Sequence, residues 1–394
     1  MTYRILSLDG GGPWALLEVK ALIQLFDAKT LGHEVLSAFD MVAANSGGSL
    51  VLGGLVENLP LSTIANFFLD DSSRKMMFSP SKNLGDRVLH GLSGIGPKYS
   101  AEAKLWAIEQ ILPKSGPSQM AGVAANVSGS GGNPVRLLIT SFDYDVTRAV
   151  FFRSVKSGGP GWGDGDASTA TLAEAIHAST NAPVNYFDAP AAFHTSDRRY
   201  WDGGVAGCNN PVLAAVTEAI SAQVNSTDIR ALSIGTGNLL RPLAGVNDPP
   251  NPLFAPRIDS SLIKDITKLA SSILDDPPDA ASFVAHAMVG GQNGLNPPEQ
   301  SRIVRLNALI SPVQSAAGGW TFPQGMTPAN FNYLAALPMD AIEPSQVSAI
   351  DDFGNRWIAG AVPNQPIRLD SSTLRTEVGY NIFGDALAAW RRIR

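Results

Sequence analysis

The apolar run Ile5-Leu6-Ser7-Leu8 ends on Asp9-Gly10-Gly11-Gly12, and a helical apolar pattern begins at Trp14. A short run of this kind marks a buried strand, and a strand leading through a glycine turn into a helix favours a sheet covered on both faces. The glycines let several backbone N–H groups converge on one point, which makes an anion cradle. A second unit repeats the plan: Met41-Val42-Ala43-Ala44 runs into Asn45-Ser46-Gly47-Gly48, a strand, a sharp turn and a helix with a serine at the apex. An anion cradle and an exposed serine at strand ends are what acyl transfer to serine requires.

Strand patterns fall at Tyr3–Leu8, Phe39–Ala44, Val135–Phe142, Ala149–Arg153, Arg199–Trp201 and Ile229–Ile234. Helical patterns cover Trp14–Lys29, Gly47–Glu57, Ala101–Leu112, Thr171–Ser179 and Pro211–Ala222. Asn210 suits the N-cap of the last of these, with Pro211 at its first position. Strands alternating with helices predict an α/β fold, a three-layer α/β/α arrangement around a mainly parallel sheet. Beyond about residue 240 the pattern turns helical (Ser260–Leu274, Ala280–Met288, Phe383–Ile393), with Arg302–Leu306 as an edge strand. The expected organisation is a catalytic core over 1–240 and a mainly helical extension over 241–394 packed on the same domain.

A third motif, Arg199-Tyr200-Trp201-Asp202-Gly203-Gly204, places a carboxylate where a strand gives way to two glycines. Together with Asp9-Gly10-Gly11-Gly12 and the Ser46 turn, it makes the chain resemble the patatin-like phospholipases. Ala178-Ser179-Thr180-Asn181-Ala182-Pro183, Asn209-Asn210-Pro211, Leu232-Ser233-Ile234-Gly235-Thr236-Gly237 and Pro97-Lys98-Tyr99 match that family in order, over roughly the first 240 residues. The resemblance implies hydrolysis of a lipid carboxylic ester, with Ser46 as nucleophile, Asp202 as its base and Gly10, Gly11 and Gly12 as the oxyanion hole. It also implies an acyl-enzyme, release of fatty acid and a substrate met at a membrane or micelle surface. Two positions depart from the pattern. Ala44 stands where the turn usually has glycine, and Trp14-Ala15 replace the common Arg-Gly after the glycine loop.

Each motif has a plainer reading. Ser46 before Gly-Gly could be a helix cap, and Asp202 before Gly203 an ordinary turn aspartate. Gly10-x-Gly12-x-x-Ala15 also satisfies the dinucleotide fingerprint, but that site needs an acid at the end of the next strand. Asp40 lies at the strand's other end, and Pro13 crowds the pyrophosphate position. A Ser-His-Asp triad acting on soluble esters would draw on His33, His90, His177, His194 or His286, of which His286 alone follows Asp202. A non-catalytic lipid- or partner-binding protein could keep the same fold. The cluster Phe67, Phe68, Met76, Met77 and Phe78, before Gly91–Gly96, is either core or a mobile apolar cover. The stretch 387–392, with Trp390, could dock on the fold or lie in a lipid interface.

The balance of 29 basic and 35 acidic residues, net −6, argues against nucleic acid as a partner. Cys208, the single cysteine, excludes an internal disulfide and a cysteine-based zinc site, and is expected to be buried. Neither a metal nor another cofactor is expected, since no calcium-type oxygen-ligand loop is present. Met1-Thr2-Tyr3 enters the first strand directly, and no run of about eighteen apolar residues offers a spanning helix. The expected location is cytoplasmic, with lipid approached from the water side.

Overall fold

The computed structural model describes residues 2–80, 97–155, 169–183, 186–194, 197–245, 249, 251–256, 278–291, 301–316, 318–367 and 378–394. Its centre is an eight-stranded sheet: β1 (Tyr3–Leu8), β2 (Met41–Ala44), β3 (Arg136–Asp143), β4 (Arg148–Arg153), β5 (Ala191–Ala192), β6 (Arg199–Asp202), β7 (Ile229–Ile234) and β8 (Ile303–Leu306). The order is β5-β6-β3-β2-β1-β7-β8, with β4 also paired to β3. The run β3-β2-β1-β7-β8 is parallel, while β4 and β6 join β3 antiparallel.

The helices are α1 (Leu16–Leu25), α2 (Gly32–Ser37), α3 (Ser46–Val56), α4 (Leu61–Leu69), α5 (Asp71–Met77), α6 (Ala101–Ile111), α7 (Leu172–Ser179), α8 (Val212–Ser221), α9 (Pro328–Ala336), α10 (Pro344–Ile358) and α11 (Phe383–Ile393). A further helix spans 278–288. Alternate strand residues face opposite layers, as a pleated sheet requires. Leu6, Leu8, Val42, Ala44, Leu137 and Ile139 pack with α1, α3, α4, α6, α7 and the helices α9 to α11. Ile5, Met41, Ala43 and Leu138 pack with α8 and the 278–288 helix. This is the three-layer, mainly parallel architecture that the alternation of strands and helices implies.

Helix α3 is apolar on every side and buried throughout, which is why it runs through the heart of one layer. Helix α7 starts on a full capping box, Thr171 accepting from Glu174 N–H and Glu174 reaching back to Thr171 N–H. The helical pattern from Trp14 resolves into a 3₁₀ turn, Gly12–Ala15, followed by α1. That helix stops at Leu25 rather than Lys29, two residues before Asp27 takes a positive φ of 150°. The region after 240 is woven into the core: β8 pairs with β7, and Phe353, Trp357, Phe383 and Trp390 join the larger apolar cluster. Trp390 docks on the fold, stacked against Phe39 at 5.9 Å. Phe67, Phe68 and Met77 are likewise core, while Gly91–Gly96 and Ser260–Leu274 lie outside the described residues. Cys208 is half-buried rather than fully buried.

Candidate active site

Parallel strands bring their C-terminal ends to one edge, where open α/β sheets place their sites. Three neighbours, β2, β1 and β7, deliver Ser46, Gly10–Gly12 and Gly235-Thr236-Gly237 to that edge. Ser46 is the first residue of α3 and has φ +46°. That left-handed conformation costs a non-glycine residue roughly 1–2 kcal/mol. It is held by Ser46 N–H donating to Ser179 Oγ at 2.8 Å and by Gly48 N–H donating to the Asp9 carbonyl at 3.0 Å. Only glycine fits at 47, where a Cβ would fall 2.5 Å from the Gly12 carbonyl oxygen. Ala44, by contrast, ends β2 opposite Leu8 and Ile139 with its methyl fully buried, so the departure at that position fits the sheet.

Sheet register brings Asp202 to the serine. Strand β2 pairs with β3 only as far as Ala44 opposite Ile139, and β6 pairs with β3 from Ser141 onward. Because β4 occupies the other edge of β3 along 138–143, β2 and β6 share one edge end to end. Asp202, opposite Ser141, therefore sits just past the end of β2, beside the turn that carries Ser46. Its Oδ1 accepts from Gly204 N–H at 2.8 Å and from Asn45 Nδ2 at 3.0 Å. Asn45 is fixed in turn by Thr140, whose hydroxyl donates to Asn45 Oδ1 at 2.7 Å. Burial raises the Asp202 pKa above the ordinary carboxylate value; a side-chain hydrogen bond from Ser46, the Gly204 and Asn45 hydrogen bonds and the charge of Lys104 pull it back down. A raised carboxylate is a better proton acceptor at neutral pH than a free one.

The glycine loop has fewer unpaired N–H groups than its sequence implies. Gly10 N–H donates to the Asn209 carbonyl at 2.8 Å, which leaves Gly11 and Gly12 of the three expected donors. Neither of their N–H groups has a partner among the described residues, nor has Gly47 N–H at the start of α3. Gly12 takes φ +55° and lies against Gly47, and both line the cavity beside Ser46, while Gly11 packs against Thr236. The loop is tied from behind: Thr236 Oγ1 donates to the Gly10 carbonyl at 2.6 Å, and Arg305 of β8 pairs with Asp9 at 2.6 Å. Burial still pushes Asp9 up to about 6, against the pull of Arg305. Asp40 is occupied at the far end of β2, accepting from Arg4 N–H, Ser130 and Gly131, which removes the acid a dinucleotide site needs.

Ser46 lines a narrow cavity of about 40 Å³, walled by Leu50, Met77, Phe78, Ile108, Phe187 and Met339 and bordered by Lys104 and Asp340. No histidine lines it among the described residues. His177 is buried, and desolvation, reinforced by Lys104, drives its pKa well below the ordinary imidazole value. His33 binds the Val56 carbonyl, His286 contacts Ser301, and His90 lies outside the described residues. The segment around 338–342 covers the cavity: Trp14 Nε1 donates to the Pro338 carbonyl at 3.3 Å, Lys98 and Tyr99 hold Asp340 at 2.8 and 2.7 Å, and Arg74 donates to the Ile342 carbonyl at 2.8 Å. Trp14, where the family pattern has arginine, thus binds the cover.

Asn45, Gly47 and Ser179 fall within the motifs, but what each holds at the site is not readable there, and Lys104 lies outside every motif. Lys104 did leave a signal: it occupies an apolar-face position in the series Ala101, Leu105, Ile108, where a solvated lysine does not belong. Among the described residues no group of three or more His, Cys, Asp or Glu could hold a metal ion, and no helix is long and apolar enough to cross a membrane.

The family model of the patatin-like phospholipases matches residues 6–216, and the chain belongs to that family. No curated protein matches it in sequence. Among solved structures it is similar to VipD from Legionella pneumophila, at 9% identity over 90% of this chain and 66% of that one, with a TM-score of 0.34. It is also similar to human GIVD cytosolic phospholipase A2 (19% identity, 39% of this chain, 22% of that one, TM-score 0.24). A third is the type III effector protein ExoU (12% identity, 90% of this chain, 53% of that one, TM-score 0.23). The chain spans less than two thirds of each of these.

Proposed function

We propose that this protein is a lipid acyl hydrolase that cleaves carboxylic esters through a Ser46–Asp202 dyad. The observation that carries the reading is the register of β2 and β6 along β3, which sets a buried carboxylate beside a serine held at positive φ. Ser46 Oγ attacks the ester carbonyl while its proton passes to Asp202. The tetrahedral oxyanion is held by the N–H groups of Gly11, Gly12 and Gly47, at the positive end of the α3 dipole. Collapse expels the alkoxide, which takes the proton from Asp202 and leaves an acyl-serine. Water then attacks, giving its proton to Asp202, and collapse returns a proton to Ser46 and frees the fatty acid.

The apolar cavity wall suits an acyl chain, and membership of the family favours a lipid ester presented at a membrane or micelle. Incubation with mixed phospholipid vesicles tests this: matching yields of free fatty acid and lysophospholipid are expected, both absent with Ser46→Ala. Hydrolysis of a soluble short-chain ester with no release from vesicles would replace the lipid substrate by a soluble one. No hydrolysis of either would leave a binding protein.

A further inference from the structure

The proposed acyl transfer makes no use of Lys104, which borders the cavity beside Ser46. Lys104 stands on the buried face of α6 with 3% of its surface exposed, although lysine is almost never fully buried without partners. Its Nζ donates to the His177 carbonyl and to Asn181 Oδ1, both at 2.9 Å, and lies 4.0 Å from the centre of the Phe187 ring. Both acceptors belong to the C-terminal end of α7, where free carbonyls and the negative end of the dipole attract a cation. That same helix end holds both members of the dyad. Ser179 Oγ accepts from Ser46 N–H at 2.8 Å, and the Asn181 carbonyl accepts from Asp202 N–H at 3.0 Å. Asn181 is pinned on its other side by Nδ2 donating to the Ala189 carbonyl at 2.8 Å.

We propose that Lys104 is a positioning residue for the Ser46–Asp202 pair, fixing the helix end from which both hang and setting a cationic charge toward Asp202. The inference rests on the acyl-hydrolase reading. Asp202 is faced by Ser46 and Asn45 from the serine turn, by Gly204 N–H from its own turn and by Lys104 from α6. Burial pulls the Lys104 pKa well below the ordinary lysine value, the charges of Asp202 and Asp188 pull it back up, and His177 of α7 faces it as well. Burial favours the protonated carboxyl at 202, and the lysine charge opposes it. With the charge removed, Asp202 holds its proton to higher pH. The acid limb of kcat/KM, which reports ionisation of the base in the free enzyme, then moves upward.

Lys104→Gln keeps an N–H donor for the helix end without the charge, Lys104→Met removes both, and Lys104→Arg keeps the charge. Hydrolysis of p-nitrophenyl butyrate by the full chain, read at the isosbestic wavelength across pH, gives the profiles. The Gln and Met variants are expected to shift the acid limb up by about one pH unit, a roughly tenfold loss of kcat/KM along that limb. The Arg variant should leave the limb in place. Thr171→Ala, which weakens α7 from its other end, should also leave it in place. An unmoved limb in a folded Gln variant overturns the proposal, and that variant decides alone if Lys104→Met does not fold. Activity retained by Ser46→Ala would instead overturn the dyad itself, so the two failures are distinct.

Discussion

At the scale of single residues the proposed dyad turns on an aspartate, Asp202, acting as the base without a histidine. What separates Asp202 from an ordinary turn aspartate is burial beside Ser46, which raises its pKa, with hydrogen bonds that keep the carboxylate aimed. Asp202→Asn keeps the size and some hydrogen bonding but cannot take a proton, and removal of a general base costs roughly 10²–10⁴-fold in rate. Steady-state kinetics on a soluble ester should show that loss in kcat. Gly47→Ala makes a different claim. Its Cβ would lie 2.5 Å from the Gly12 carbonyl oxygen, forcing the serine turn away from the glycine loop. Misaiming oxyanion donors should lower kcat by about 10²–10³-fold with KM little changed, since the oxyanion exists only in the transition state. An equal rise in KM with kcat preserved would place Gly47 in substrate binding instead. The turns that carry Ser46, Asp202 and the glycine loop were legible because each follows a strand in a motif whose backbone geometry is encoded locally. Gly10 could not be told from its neighbours, because its partner Asn209 is remote in sequence.

Among the elements, α7 does more for the site than its length suggests. Its start is secured by the Thr171–Glu174 capping box and its end supports both Ser46 and Asp202. Thr171→Ala should cost about 1 kcal/mol of stability, as loss of a threonine cap does. Urea unfolding would measure it, and no change in midpoint would mean that Glu174 alone holds the helix start. Strands β1 and β7 were legible to the residue, because central parallel strands are continuous apolar runs. The capped helices α6 and α7 were legible for their periodic apolar faces. Helix α10 carried the same period in Val347, Ile350, Phe353 and Trp357, with Pro344 at its first turn, yet charged residues between them obscured it. The two-residue strand β5 has no sequence signature, since its pairing with β6 is its whole definition.

Across the whole molecule, the region beyond residue 240 is structurally continuous with the site: β8 closes one edge of the parallel sheet, Arg305 braces Asp9, and the 338–342 segment covers the cavity. Strand β8 itself was legible, as the edge strand expected over Arg302–Leu306, but the Asp9 brace and the contacts of the 338–342 segment were not, because they join segments more than 200 residues apart. The interior also encloses Glu18, whose pKa burial raises well above the ordinary value with Asp9 adding to the shift. Below the range of a free carboxylate both folded and unfolded chains hold this proton. As pH rises through that range the unfolded chain ionises while the folded chain keeps the proton, so stability falls by up to about 1.4 kcal/mol per pH unit. Asp9 adds a similar loss between 3.8 and about 6. Glu18→Gln should therefore stabilise the protein relative to wild type, by more at about pH 8 than at about pH 5; a gain equal at both would contradict burial of a neutral carboxyl. The dyad itself is tested most directly by a serine-directed fluorophosphonate followed by peptide mass spectrometry. Stoichiometric modification of Ser46 with parallel loss of ester hydrolysis, and no labelling of Ser46→Ala, is the expected result. Hydrolysis that survives in Ser46→Ala, or a label carried on another residue, would contradict it.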